Sequence, residues 1–157
     1  MRAGSSHPLR SARFSGERGD LNYLLDTNAC IALINGEPAR VRGRFERAIA
    51  AGAQVFVPSL VTFELWYGTA KSQREEFNAR RLRAFLAGPL SLIAFEEADA
   101  RAAGSVRAAL EASGKPIGAY DVLIAGQAIY RQLTLVTANV REFSRVKGLV
   151  WQDWAKG

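Results

Sequence analysis

The stretch Leu21-Asn22-Tyr23-Leu24-Leu25-Asp26-Thr27-Asn28 decides how the rest of the chain is read, because apolar residues run directly into an aspartate and two small polar side chains. That is the pattern of a buried strand ending at a site. In an open α/β sheet the first strand lies centrally and ligands bind beyond the carboxyl ends of the strands, which puts Asp26 at such an edge. Aspartate also caps helices well, so Asp26 alone leaves open whether it serves chemistry or only the helix that starts near Ala29.

Working outward, the same alternation recurs. A short helix through Ile34 breaks at Asn35-Gly36-Glu37-Pro38. An amphipathic helix follows from Ala39 to Ala51-Gly52, with Val41, Phe45 and Ile49 inward and Arg40, Arg42, Arg44 and Arg47 outward. Gln54-Val55-Phe56-Val57-Pro58 reads as the second strand, and Ser59 as the N-cap of a third helix. That helix, Leu60 to Gly68, is apolar nearly all round and is therefore expected to be buried. A buried Glu64 within it needs a partner, and an arginine is the ordinary one.

A fourth helix is expected from Ser72 to Ala87 with Phe77, Leu82, Phe85 and Leu86 inward, and Leu90 to Phe95 forms a third strand. The acids Glu96, Glu97 and Asp99 then open an Ala-rich helix running to Ser113, where the helix dipole accounts for them. Gly114-Lys115-Pro116 stops it. From Tyr120 a buried helix carries Val122, Leu123, Ala125 and Ala128, and Asp121 is its single formal charge before Arg131. The dipole tolerates an acid there but does not require one. Leu133 to Thr137 is a fourth strand ending at Ala138-Asn139, followed by a short basic helix, 140–147, and an edge strand near Leu149-Val150-Trp151. Strands alternating with helices and no hairpin signals predict a three-layer α/β/α domain over 21–157, with a mainly parallel sheet of four to five strands.

Composition sets further bounds. The 157 residues, 48% of them hydrophobic, suit one domain with one core. The single cysteine, Cys30, lies in an apolar run, which fits a buried side chain in a reducing, cytoplasmic compartment. No apolar run is long enough to span a membrane. Residues 1–20, rich in Ser, Gly and Arg, read as a disordered basic extension, and they contain His7, the only histidine. An imidazole outside the domain argues against Ser/His, Cys/His and histidine-dependent ribonuclease chemistry. The net charge of +6 favours a polyanionic partner without naming it.

The polar outliers of the apolar segments are Asp26, Glu64, Asp121 and Asn139, with Thr27, Asn28 and Thr137 beside them. If the three carboxylates share one pocket, they cannot all ionise without a positive charge between them. An all-oxygen donor set without Cys or His suits Mg²⁺ or Mn²⁺ and disfavours Zn²⁺. Such an ion activates water and neutralises charge on a phosphodiester, which is nuclease chemistry, and basic side chains would hold the backbone. Lys115, Arg141 and Arg145 lie near the motif loops.

In this order, Leu25-Asp26-Thr27-Asn28, Ser59-Leu60-Val61-Thr62-Phe63-Glu64-Leu65, Gly118-Ala119-Tyr120-Asp121-Val122-Leu123-Ile124-Ala125 and Leu135-Val136-Thr137-Ala138-Asn139-Val140-Arg141-Glu142-Phe143 resemble a PIN domain, specifically a VapC-type toxin of a bacterial type II toxin–antitoxin pair. The likeness covers about Tyr23 to Trp154. The resemblance implies a Mg²⁺-dependent endoribonuclease acting on RNA, often transfer RNA. It implies Asp26 and Asp121 as metal ligands and Glu64 as a further acid, direct or through water. Asn139 stands where many PIN domains carry a fourth acid, which leaves it to bind water or substrate. Asn28 is expected to orient Asp26, with Thr137 supporting the same site. The resemblance also implies homodimers, a cognate VapB-type antitoxin covering the cleft, and DNA contact only through that antitoxin. Phe45, Trp66, Tyr67 and Phe85 are where that contact is expected, with core packing the role of at least two of them. The alternative is a PIN-fold binding module that acts with its antitoxin on operator DNA and hydrolyses little.

Overall fold

The structure is a computed structural model that describes residues 21–156; the basic segment 1–20, expected to be disordered, lies outside the described residues, as does Gly157. Strands β1 (Tyr23–Leu25), β2 (Val55–Pro58), β3 (Ser91–Ile93), β4 (Thr134–Val136) and β5 (Trp151–Gln152) form one sheet in the order β3-β2-β1-β4-β5. Every pairing is parallel, with Tyr23 opposite both Val55 and Thr134. Parallel neighbours need crossovers, and the helices supply them. Between β1 and β2 run α1 (Thr27–Asn35) and α2 (Ala39–Ala50), and between β2 and β3 run α3 (Ser59–Ala70) and α4 (Glu75–Leu86). Then α5 (Glu97–Ala112) and α6 (Ala119–Arg131) lead to β4, and α7 (Val140–Phe143) to β5. The expected α/β/α architecture is present with five strands.

Leu24 and Leu25 are fully buried because β1 is flanked on both sides. The strand order reverses between β1 and β4, so the crevice outside their carboxyl ends is the place where an open parallel sheet binds ligands. Asp26 ends β1, and its N–H donates to the Val136 carbonyl of β4 at 3.2 Å. Helices α5 and α6 pack at their closest where a Cβ on Gly126 would stand 2.5 Å from the Ala103 backbone, so only glycine fits there. At the chain's end Trp154 is buried, edge-on to Tyr23 with ring centroids 5.1 Å apart.

Several local expectations are corrected. Ser59 is not the cap of α3: Pro58 takes the N-cap position in extended backbone with no side-chain cap, and Ser59 is the first helical residue. Nor is α3 buried all round. Val61, Leu65 and Thr69 form its buried stripe at four-residue spacing, whereas Phe63, Trp66 and Tyr67 lie outside the stripe and are exposed. Phe77 of α4 does not face inward; it lies at the surface with the Arg74 guanidinium 4.1 Å above its ring. The last strand begins at Trp151, leaving Val150 exposed. Of the four aromatics expected at a partner contact, Phe45 is buried and Phe85 packs against the core, while Trp66 and Tyr67 are exposed. No helix among the described residues is long and apolar enough to cross a membrane.

Candidate active site

Asp26 performs both tasks that the sequence left open. As N-cap of α1, its Oδ1 accepts from the Ala29 N–H at 2.9 Å, so the helix starts at Thr27 rather than Ala29. It also lines a cavity of about 240 Å³ with Thr27, Asn28, Glu64, Asp121, Ile124 and Asn139. Burial raises the Asp26 carboxyl above the usual aspartate range; hydrogen bonds from Thr137 and the Ala29 N–H oppose this, and the charge of Glu64 adds to it. Asn28 is exposed, and its backbone N–H also faces the Asp26 carboxylate. Thr137 follows β4, is buried, and its Oγ1 accepts from the Asn139 N–H at 2.9 Å. The neighbouring Cys30 is buried, and burial followed by the Asp26 charge pushes its thiol well up, so it is an inert side chain.

Glu64 reaches the cavity from α3 and accepts a hydrogen bond from the Thr27 hydroxyl. The arginine that a buried glutamate ordinarily takes is absent: among the described residues, no salt bridge involves Asp26, Glu64 or Asp121. Asp121 enters from the first turn of α6. Its carboxyl is raised to about 6, first by burial, then by the hydrogen bond and charge of Glu142, then by the charges of Asp26 and Glu64. A hydrogen bond between two carboxyls requires a shared proton, which is why it raises the value.

Glu142 on α7 is therefore an acid of this site that the sequence reading missed. It stands three residues after Asn139, one helical turn along, and such a pair shares a face. Asn139 joins the two acids: its Nδ2 donates to Asp121 Oδ2 at 3.3 Å and to Glu142 Oε1 at 3.5 Å. An aspartate could not do this, having no donor when ionised. Of the basic candidates, Lys115 and Arg141 are exposed and Arg145 donates to the Pro116 carbonyl at 3.0 Å.

Asp26, Glu64 and Asp121 line a common cavity without converging on a point. No three Asp, Glu, His or Cys side chains among the described residues form a ready-made metal cage. The donor set fits a hard divalent ion: among the described residues the cavity lining offers carboxylate oxygens, no thiolate or imidazole and no competing guanidinium, with room for the waters that such an ion retains. A larger cavity of about 460 Å³ between α5 and α6 is mainly apolar, and its two charged residues, Arg107 and Glu111, pair with each other at 3.0 Å.

A parallel α/β/α sheet with acids gathered at its switch point defines a class of domain, and the comparisons agree: the PIN domain pattern matches residues 23–149. The chain belongs to the PIN-domain family and, within it, to the VapC ribonucleases. It is 39% identical over 135 residues to the tRNA(fMet)-specific endonuclease VapC of Shigella flexneri, covering 86% of this chain and 99% of that protein. It is 38% identical to Ribonuclease VapC2 of Rickettsia felis over 85% of this chain and 98% of the relative. Among solved structures, VapBC2 of Rickettsia felis bound to a DNA fragment from its promoter superposes with a TM-score of 0.80 at 36% identity, over 85% of this chain and 99% of that one. DNA-bound VapBC of Salmonella typhimurium gives 0.78 at 36% identity, over 85% and 98%.

Proposed function

We propose that this chain is a divalent-cation-dependent endoribonuclease that acts as the toxin of a toxin–antitoxin pair, with initiator transfer RNA as its substrate. The observation that carries the reading is the gathering of Asp26, Glu64 and Asp121 at one cavity where no arginine or lysine among the described residues neutralises them. The substrate follows from the name of the Shigella relative. Asp26 and Asp121 hold the ion, with Glu64 bound directly or through water. Mg²⁺ is the expected occupant and Mn²⁺ a substitute. When bound, the ion would supply positive charge to the scissile phosphate and hold a water whose pKa it lowers below that of bulk water.

The remaining residues position these acids. The Ala29 N–H and Thr137 fix Asp26, the Thr27 hydroxyl fixes Glu64, and the Asn139 amide ties Asp121 to Glu142. We further infer a cognate VapB-type antitoxin, in keeping with the VapBC complexes among the structural relatives, with DNA contacted through that antitoxin and the toxin as a homodimer in the cytoplasm. A binding module that lacks hydrolysis would have no use for a costly group of unpaired acids.

The test is incubation of the purified chain, free of antitoxin, with initiator transfer RNA and with total RNA, in Mg²⁺ and in chelator. Discrete fragments in Mg²⁺ that vanish under chelation are expected. Fragments that persist in chelator overturn the cation, and intact RNA under both conditions overturns the enzyme.

A further inference from the structure

Each of two helices that send a carboxylate into the cavity carries an aromatic residue immediately before it: Phe63 before Glu64 on α3, and Tyr120 before Asp121 on α6. The two rings meet across these helices, with centroids 5.9 Å apart and planes tilted by 42°. Yet Phe63 is 54% and Tyr120 is 43% exposed. Both rings are borne by residues directly next to cavity-lining acids, with adjacent Cα atoms about 3.8 Å apart, so the open pair lies beside the acid cavity. Neither ring belongs to the hydrophobic core, so core packing does not account for the pair. We propose that Phe63 and Tyr120 form a stacking ledge for an unpaired base of the RNA, next to the phosphate that enters the acid cavity.

This rests on the ribonuclease reading. The cation held by the acids would draw in one phosphate, a contact that carries no sequence information and leaves the neighbouring nucleotides to be held by other groups. A base offers a flat π-face that does not depend on charge, and every base has one. Unpaired bases in RNA loops are splayed out and stacked on aromatic side chains as the ordinary mode of recognition. Two tilted rings from separate helices give one base a face and an edge to meet. The ledge therefore selects a single-stranded segment at the cleavage site, since the faces of a base inside a helix are covered by its stacked neighbours.

The test uses the full chain in two measurements. The first is cleavage of initiator transfer RNA in Mg²⁺. The second is binding, in Ca²⁺, of a single-stranded RNA dodecamer and of the same strand with abasic central nucleotides. The native chain is expected to bind the base-bearing strand about tenfold more tightly than the abasic one. The Phe63→Ala/Tyr120→Ala variant should bind both alike and raise KM about tenfold, with kcat within about twofold of the native chain. Phe63→Trp/Tyr120→Phe should restore both properties, and Tyr130→Ala, an exposed aromatic at the other end of α6, should change neither.

Retained base preference and KM in the alanine variant overturn the ledge, including the case where only a protein antitoxin binds less well. A fall in kcat at unchanged KM overturns it too, since the rings then only stiffen the rim. A native chain that cuts no RNA overturns the ribonuclease reading itself.

Discussion

Two regions of this molecule bury aspartate and treat it in opposite ways. Asp99, in the first turn of α5, has no exposed surface. Arg131 donates to it at 3.0 and 2.8 Å, the Glu96 N–H at 2.8 Å and the Gln127 amide at 3.2 Å. Burial acts to raise its carboxyl, but these donors and the guanidinium charge outweigh it and hold the group below the usual aspartate range. Among the described residues, Asp26 and Asp121 receive only neutral donors and the company of other acids, and both are raised. A fold that uses a buried carboxylate for structure brings a cation from its own chain. On the proposed function, one that leaves several carboxylates in a shared cavity without such a cation breaks the usual rule so as to take a cation from solution.

The largest effect expected from this contrast is on chemistry. Asp26→Asn or Asp121→Asn should each lower RNA cleavage by at least about a hundredfold while leaving the circular dichroism spectrum unchanged. Cleavage within threefold of the native chain in both variants would erase the distinction between the two regions. The reverse experiment is Arg131→Met, which leaves Asp99 buried without its guanidinium. It should cost about 3 kcal/mol in a denaturant titration, with specific activity of the folded protein unchanged. A loss under about 1 kcal/mol would mean that Asp99 does not depend on Arg131.

The two regions should also respond to pH with opposite sign. Asp99 is lowered on folding, so its contribution is present above the unfolded value of about 3.9 and is lost as pH falls through the lower, folded one. Asp121 is raised to about 6, so its contribution is fully present below the unfolded value and is lost as pH rises through about 6. Asp121→Asn should therefore stabilise the cation-free protein at pH 7.5, by on the order of 1 kcal/mol once its partial exposure is allowed for. Calorimetry adds a second reading: Mg²⁺ should bind more weakly at pH 5.5 than at pH 7.5 and release protons at the lower pH. Affinity independent of pH would separate Asp121 from the cation.

What the sequence displayed and what it hid follow from background. Asp26, Glu64 and Asp121 stood out because each interrupts an apolar segment, and strand ends gave the first and the switch point its place. Glu142 did not stand out, lying in a short helix among Arg141, Arg145 and Lys147 where one more charge looks like solvated surface. Asp99 matched the helix dipole well enough to need no partner, and its real one is 32 residues away, beyond any local pattern. The face of α3 was unreadable for the opposite reason. With apolar residues at most positions, the buried stripe of Val61, Leu65 and Thr69 has no contrast against exposed Phe63, Trp66 and Tyr67.

The smallest effect concerns how the acids divide their own repulsion. After burial, the hydrogen bond and charge of Glu142 are the main reasons that Asp121 is raised. Glu142→Gln removes that charge and replaces a proton-sharing carboxyl with an amide able to donate. The Asp121 carboxyl, followed by its side-chain carbon resonance, should move down from about 6 but stop above about 3.9, because burial and the charges of Asp26 and Glu64 remain. The pH below which Mg²⁺ binding weakens should move down with it, while Asp99, on the other side of the comparison, should titrate as before. An Asp121 carboxyl that stays in place would mean that Glu142 has no part in raising it, leaving burial and the charges of Asp26 and Glu64 as the causes.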